Sequence, residues 1–175
     1  MVLGLSLAAF TQLHTIISLI AIAAGLVALI AFARGTWLAR TQHVFFWTTA
    51  ATTITGFLFP FNGFTPAIGT GIVSTVVLAV AFFALYVSKL RGGARTVYAV
   101  TAAISLYLNL FVLVVQSFLK IPALHALAPL GKEPPFAAAQ GIVLIASIAL
   151  GYFCVRAARR QSRGVGGVTL AAPAR

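Results

Sequence analysis

Long runs without a single charged side chain alternate with short basic stretches, and that alternation limits what this chain can fold into more than any other feature. The first run extends from Met1 to Ala33. Basic stretches follow at Arg34–Arg40, at Lys89–Arg95 and from Arg156 onward. A charge-free apolar run of about 18 residues or more reads as a membrane span. Composition closes off the soluble reading. Charged residues make up 7% of the chain, where an ordinary soluble domain has about a quarter. Hydrophobic residues make up 61%, and a soluble protein of this size has too little interior to hide them.

The fold predicted from these runs is all-α: a polytopic bundle of five transmembrane helices. The spans fall at about 10–33, 44–61, 69–88, 96–119 and 136–155. Each is close to the length of about 20 residues that crosses the hydrocarbon at 1.5 Å per residue. The first run lacks the basic start of a secretory signal, and its apolar core is too long for one; it reads as a retained helix. Residues 1–160 form one membrane domain, and 161–175, rich in Gly, Ala and Val after Arg163, form a flexible cytoplasmic tail.

Cations fix the predicted direction. With the N-terminus outside, the inner segments hold Arg34 and Arg40, then Lys89, Arg91 and Arg95, then five tail arginines; the outer segments hold only Lys120 and Lys132. Ten against two gives an N-out/C-in arrangement. Aromatic residues mark the interfaces: Trp37, Phe45, Phe46 and Trp47 inside, and Phe57, Phe59, Phe61 and Phe64 outside.

The net charge of +11 does not point to nucleic acid, because the cations flank spans and form no separate basic domain. The partner it implies is the lipid bilayer, with the anionic lipids of its inner leaflet. Cys154, the single cysteine, excludes an internal disulfide and a CxxC motif; it reads as an inert buried thiol, although acylation at the inner end of the last span is chemically conceivable. No Asp occurs, so a Ser-His-Asp triad is excluded, and there is neither a P-loop nor a GxGxxG turn. No catalytic constellation is found, and no metal site is expected.

Polar side chains inside spans carry the functional information, since each needs a partner in lipid. Tyr98, Ser105, Asn109 and Gln116 are spaced to lie on one face of the fourth span at about 100° per residue. His14, Ser18, Ala21, Gly25 and Ala28 share a face of the first span. Gln140, Ser147, Gly151 and Cys154 do so on the last. Small residues and the threonines of the second span are read as helix packing. His14, Asn109, Gln116 and Gln140 all fall in the outer half. They are the candidate ligand-binding residues, with His125 and Glu133 of the Pro-rich segment 120–135 as contributors from a partial lid. Amides donate and accept, so they suit a small uncharged polar ligand. The alternative is interhelical packing alone.

The stretch from Tyr107 to Gln140, YLNLFVLVVQSFLKIPALHALAPLGKEPPFAAAQ, joins a Tyr-Leu-Asn span, a Pro-rich outer loop and a Gln-containing span. It resembles small bacterial polytopic inner-membrane proteins that carry no assigned activity. The resemblance covers the last two spans and implies a location in the bacterial inner membrane.

Three functions follow as expectations. The first is small-ligand binding, or a transport-associated role, at an outer polar pocket. The second is a redox accessory subunit in which His14, with His125, ligates haem or His14 bonds a quinone carbonyl. The third is a structural subunit whose polar faces meet another membrane protein or a second copy.

Overall fold

A computed structural model describes residues 2–60 and 66–167. Among them the fold is all-helical: α1 (Leu7–Ala33), α2 (Ala39–Phe57), α3 (Pro66–Phe82), α4 (Ala94–Lys120), the short α5 (Pro122–Leu127) and α6 (Pro134–Gly167). Four segments are long and apolar enough to cross a membrane, namely Leu7–Ala33, Ile68–Val87, Ala94–Lys120 and Pro134–Ser162. α2 is shorter, rich in threonine, and begins with Arg40, Gln42 and His43, which lowers its mean hydropathy. Apolar side chains cover the outside of the bundle: Ile16, Val27, Val76, Ile142, Ile145 and Ile148 are all at least half exposed. In water such a surface would drive association, whereas in hydrocarbon it is the favourable exterior. The molecule thus has the features of a multi-pass membrane protein.

Local chemistry sets the helix ends. Ser6 caps α1 by accepting the Ala9 N–H at 3.2 Å. α1 stops at Gly35, whose φ of +90° a side chain would resist. There the Gly35 N–H donates to the Phe32 carbonyl and the Thr36 N–H to the Ala31 carbonyl, the paired bonds of a Schellman ending. α3 runs into one wider turn, Phe83–Val87, before Lys89 and Leu90 take positive φ and reverse the chain. Ile121 is extended because the ring of Pro122 disfavours helix at the preceding residue. Pro134 and Pro135 open α6, where their missing N–H groups cost nothing. Just before them the Glu133 carboxylate accepts the N–H groups of Leu130 (3.0 Å) and Lys132 (2.9 Å). Those bonds hold its carboxyl below the usual range.

α1 and α4 form the centre; α2 lies on α1, α3 on α4 and α2, and α6 on α4 and α1. The main cluster of buried side chains belongs to one end of the bundle. It joins Leu29 and Phe32 of α1, Phe45 and Phe46 of α2, Ala81 to Leu85 around the α3 turn, Tyr98 to Leu106 of α4, and Cys154 and Ala158 of α6. Gly25 makes this packing close: a Cβ there would come within 2.7 Å of the Phe45 ring and 2.9 Å of Leu106. Among the described residues the other end, around His14, Gln116 and Gln140, has fewer buried side chains; Phe10 and Phe118 are the large ones.

Helix α2 starts at Ala39 rather than at 44, and two further readings of the sequence change. Helix α6 continues through Gly167, past residue 160, because Gln161 and Ser162 are tied to neighbouring loops; 168–175 lie outside the described residues. The segment between α4 and α6 is not a featureless loop. It contains α5, which rests on the end of α4. Phe61 and Phe64, read as outer aromatic markers, also lie outside the described residues.

Candidate functional site

His14 sits between α1 and α2. Its Nδ1 lies 2.7 Å from the Thr55 hydroxyl, and its ring meets Phe59 edge-on at 5.3 Å. The tautomer follows from proton counting. Thr55 Oγ1 is also 2.7 Å from the Ala51 carbonyl. Two oxygens that close repel unless a proton lies between them, so the hydroxyl donates to Ala51. Its lone pairs face His14, and Nδ1 must carry the donated proton. In the neutral ring Nε2 is then an acceptor with its lone pair free. No hydrogen bond to Nε2 is made among the described residues. Lys120, at the end of α4, is close enough to interact electrostatically with this ring.

The other three candidates do not gather with His14 into one hydrogen-bonded group. Asn109 donates to the Thr49 hydroxyl at 3.1 Å, tying α4 to α2. Gln140 donates to the Phe111 carbonyl at 3.2 Å, tying α6 to α4. Among the described residues its Oε1 is buried without a partner, as are the hydroxyls of Thr52 and Ser105. An unpaired buried acceptor costs about 1–3 kcal/mol, so Gln140 Oε1 is a place where a hydrogen-bond donor would be welcomed. Gln116 is exposed. The polar face of α4 that begins at Tyr98 and Ser105, both buried, therefore opens outward by its last turn, where neighbouring helices no longer cover it. His125 is exposed on α5, and no described contact joins it to His14. Glu133 is occupied in fixing the turn before α6. Among the described residues no three His, Cys, Asp or Glu side chains gather as a metal site would require.

Sequence reading missed the most deeply buried polar tie. Gln42, fully buried, donates from Nε2 to the Ala28 carbonyl at 3.2 Å and accepts the Tyr98 hydroxyl on Oε1 at 2.8 Å. It thereby links α2, α1 and α4. Trp37 packs edge-on against both Phe32 and Tyr98 beside it. The second span had been started at Val44, which left Gln42 in a loop; its place one turn upstream on the same helix was the available signal. His43 stands next to Gln42 near the start of α2. It pairs through Nδ1 with the Tyr86 hydroxyl at 2.8 Å, within a set of rings from Phe46, Trp47 and Phe82. Cys154 is buried, its thiol donating to the Leu29 carbonyl at 3.3 Å, so its sulfur is shielded from acylation in the folded chain.

No protein-family model, curated protein or solved structure matches this chain.

Proposed function

We propose that the chain is a five-span protein of the bacterial inner membrane, N-out/C-in, that binds a small uncharged ligand near its outer face. Its role is ligand binding or transport-associated, and His14 Nε2 accepts a hydrogen bond from the ligand. The observation that carries this reading is the Thr55–His14 pairing, which pins the proton on Nδ1 and leaves Nε2 an acceptor with no hydrogen-bond donor among the described residues. Ligands bearing O–H or N–H groups fit such an acceptor, and the orphaned Gln140 Oε1 is of the same kind. The ring of Phe59 supplies apolar contact beside the imidazole. The place of α2 beside α1 and α3 supports counting it as the fifth span. The resemblance of Tyr107–Gln140 to small bacterial membrane proteins supports the location.

The test is extraction of small molecules from the protein purified out of native membrane, followed by mass spectrometry. A compound retained by the wild type should be lost from His14→Ala and weakened in Thr55→Val, which frees the imidazole to rotate. Equal recovery from all three sinks the reading. A Soret band in the same preparation would redirect it to the haem alternative through His14 and His125. Topology is tested separately in a Cys154→Ser background. Gly92→Cys and Gly131→Cys should label from opposite sides of the membrane, and labelling from one side contradicts the assigned spans.

A structural subunit is the second reading. It is favoured by the number of polar side chains already spent on interhelical ties, from Gln42 and Tyr98 to Asn109 and Thr49. Its signature is a partner chain that co-purifies while no small molecule does, together with assembly unaffected by His14→Ala.

A further inference from the structure

Arg34, Arg156 and Arg160 line one open cleft of about 370 Å³ where α1 ends and α6 continues beyond it. Arg156 and Arg160 are four residues apart and so share one face of α6; Arg34 faces them from the C-terminal cap of α1. All three are exposed. No carboxylate side chain serves them. Glu133 is the chain's only acid, and it precedes the first turn of α6, about 39 Å along the helix from Arg160 at 1.5 Å per residue. Three guanidinium groups gathered without a counter-charge repel one another, an arrangement that gains free energy once an anion sits among them.

The cleft is built as well as charged. Gln161 forms its inner wall, receiving Arg95 Nη1 on Oε1 and donating from Nε2 to the Gly35 carbonyl at 2.9 Å. One side chain thus fixes the ends of α1, α4 and α6 relative to each other. Four carbonyls at the end of α1, which would otherwise repel an anion, are engaged: Ile30 accepts the Arg34 N–H, Ala31 the Thr36 N–H, Phe32 the Gly35 N–H, and Gly35 accepts Gln161. Phe153 adds a large apolar side chain to the lining. Phe153 lies one turn before Arg156 and is half exposed on the same outer surface as Tyr152.

We infer that this cleft binds a phosphate group, and that the phosphate is the headgroup of an anionic phospholipid. Guanidinium forks match phosphate oxygens in pairs. Further along α6 the exposed side chains include Ile148, Ile145 and Ile142, so an acyl chain can follow the helix while the headgroup meets the arginines. The inference rests on α1 and α6 lying in a membrane, but not on the direction of insertion or on the His14 reading.

Native mass spectrometry of the full chain released from nanodiscs tests it. Discs of phosphatidylcholine doped with phosphatidylglycerol should give wild-type protein that retains phosphatidylglycerol in preference. The Arg156→Gln/Arg160→Gln variant should bind it roughly tenfold more weakly or worse, as expected for losing charge-assisted bonds. Lys89→Gln/Arg91→Gln removes the same charge outside the cleft and should change binding by less than about twofold. Equal losses in the two double variants would mean a diffuse surface effect and overturn the site. Inorganic phosphate binding the wild type in pure phosphatidylcholine discs as tightly as the lipid does would overturn the lipid assignment. Should the cleft variant not fold, wild-type selectivity decides alone, and equal retention of the two lipids refutes the proposal. Insertion into pure phosphatidylcholine discs reads the membrane placement independently.

Discussion

Removing one hydroxyl, in Tyr98→Phe, isolates the buried tie in the densely packed end of the bundle. The ring remains, and so does its edge contact with Trp37 at 5.7 Å. What is lost is the 2.8 Å bond to Gln42 Oε1. Hydrogen bonds between transmembrane helices average about 0.6 kcal/mol and reach about 1.7, because the dissociated helices find other partners. Leaving a buried acceptor unpaired costs more, about 1–3 kcal/mol. The second effect should dominate here. Gln42 is fully buried, so water cannot replace the phenol, and its Nε2 is held by the Ala28 carbonyl, so the amide cannot turn away. The expected loss is about 1–2 kcal/mol, or a factor of about 5 to 30 in the folding equilibrium. Equilibrium unfolding in bicelles measures it. Gln42→Met relieves the orphaned carbonyl, so the double variant should be less destabilised than the sum of the singles by about 0.5 kcal/mol or more. A loss below about 0.3 kcal/mol for Tyr98→Phe, or strict additivity, would show that Gln42 is paired or hydrated in a way these contacts do not describe.

Gly25→Ala should destabilise the bundle by about 1–3 kcal/mol by overpacking against Phe45 and Leu106, which exceeds the gain of up to about 1 kcal/mol in helix propensity. Gly141→Ala, whose Cβ would meet nothing within 4 Å, should be neutral or stabilising in the same unfolding assay. Cys154 should resist maleimide in the folded protein and label on denaturation; rapid labelling of the native chain would contradict its burial. Glu133, with its carboxyl pulled down by N–H bonds, stabilises the turn before α6 above the ordinary glutamate pKa of about 4.3. That contribution should fade as pH falls through the lower folded value, and Glu133→Gln should abolish the pH dependence. Amide exchange at Leu130 and Lys132 reads both, and exchange that is insensitive to pH after correction for intrinsic rates would remove Glu133 from that role.

The helices were legible because their cause is local. Charge-free runs bounded by cations, Pro and Gly define α1, α4 and α6 to within a few residues, apart from the extension of α6. The inward faces of α1 and α6 were legible too: Ala21, Gly25 and Ala28 are buried as their spacing predicts, and so is Cys154. The face of α4 was only partly so. Helical spacing places Gln116 on the face of Asn109, yet exposure depends on whether another helix reaches that height, and Gln116 is exposed among the described residues.

Partner choice was not legible at all. His14, Asn109 and Gln140 could each be recognised as needing a hydrogen bond, but not that Thr55, Thr49 and the Phe111 carbonyl would supply them. The sequence by itself determined that apolar helices alternate with basic ends, since burial of a peptide run in hydrocarbon depends only on its own composition. The tertiary structure decided which helices touch, which nitrogen of His14 holds its proton, and that Arg34 meets Arg156 and Arg160 across about 120 residues of chain. Those outcomes depend on distances between segments far apart in sequence, and no local pattern encodes them.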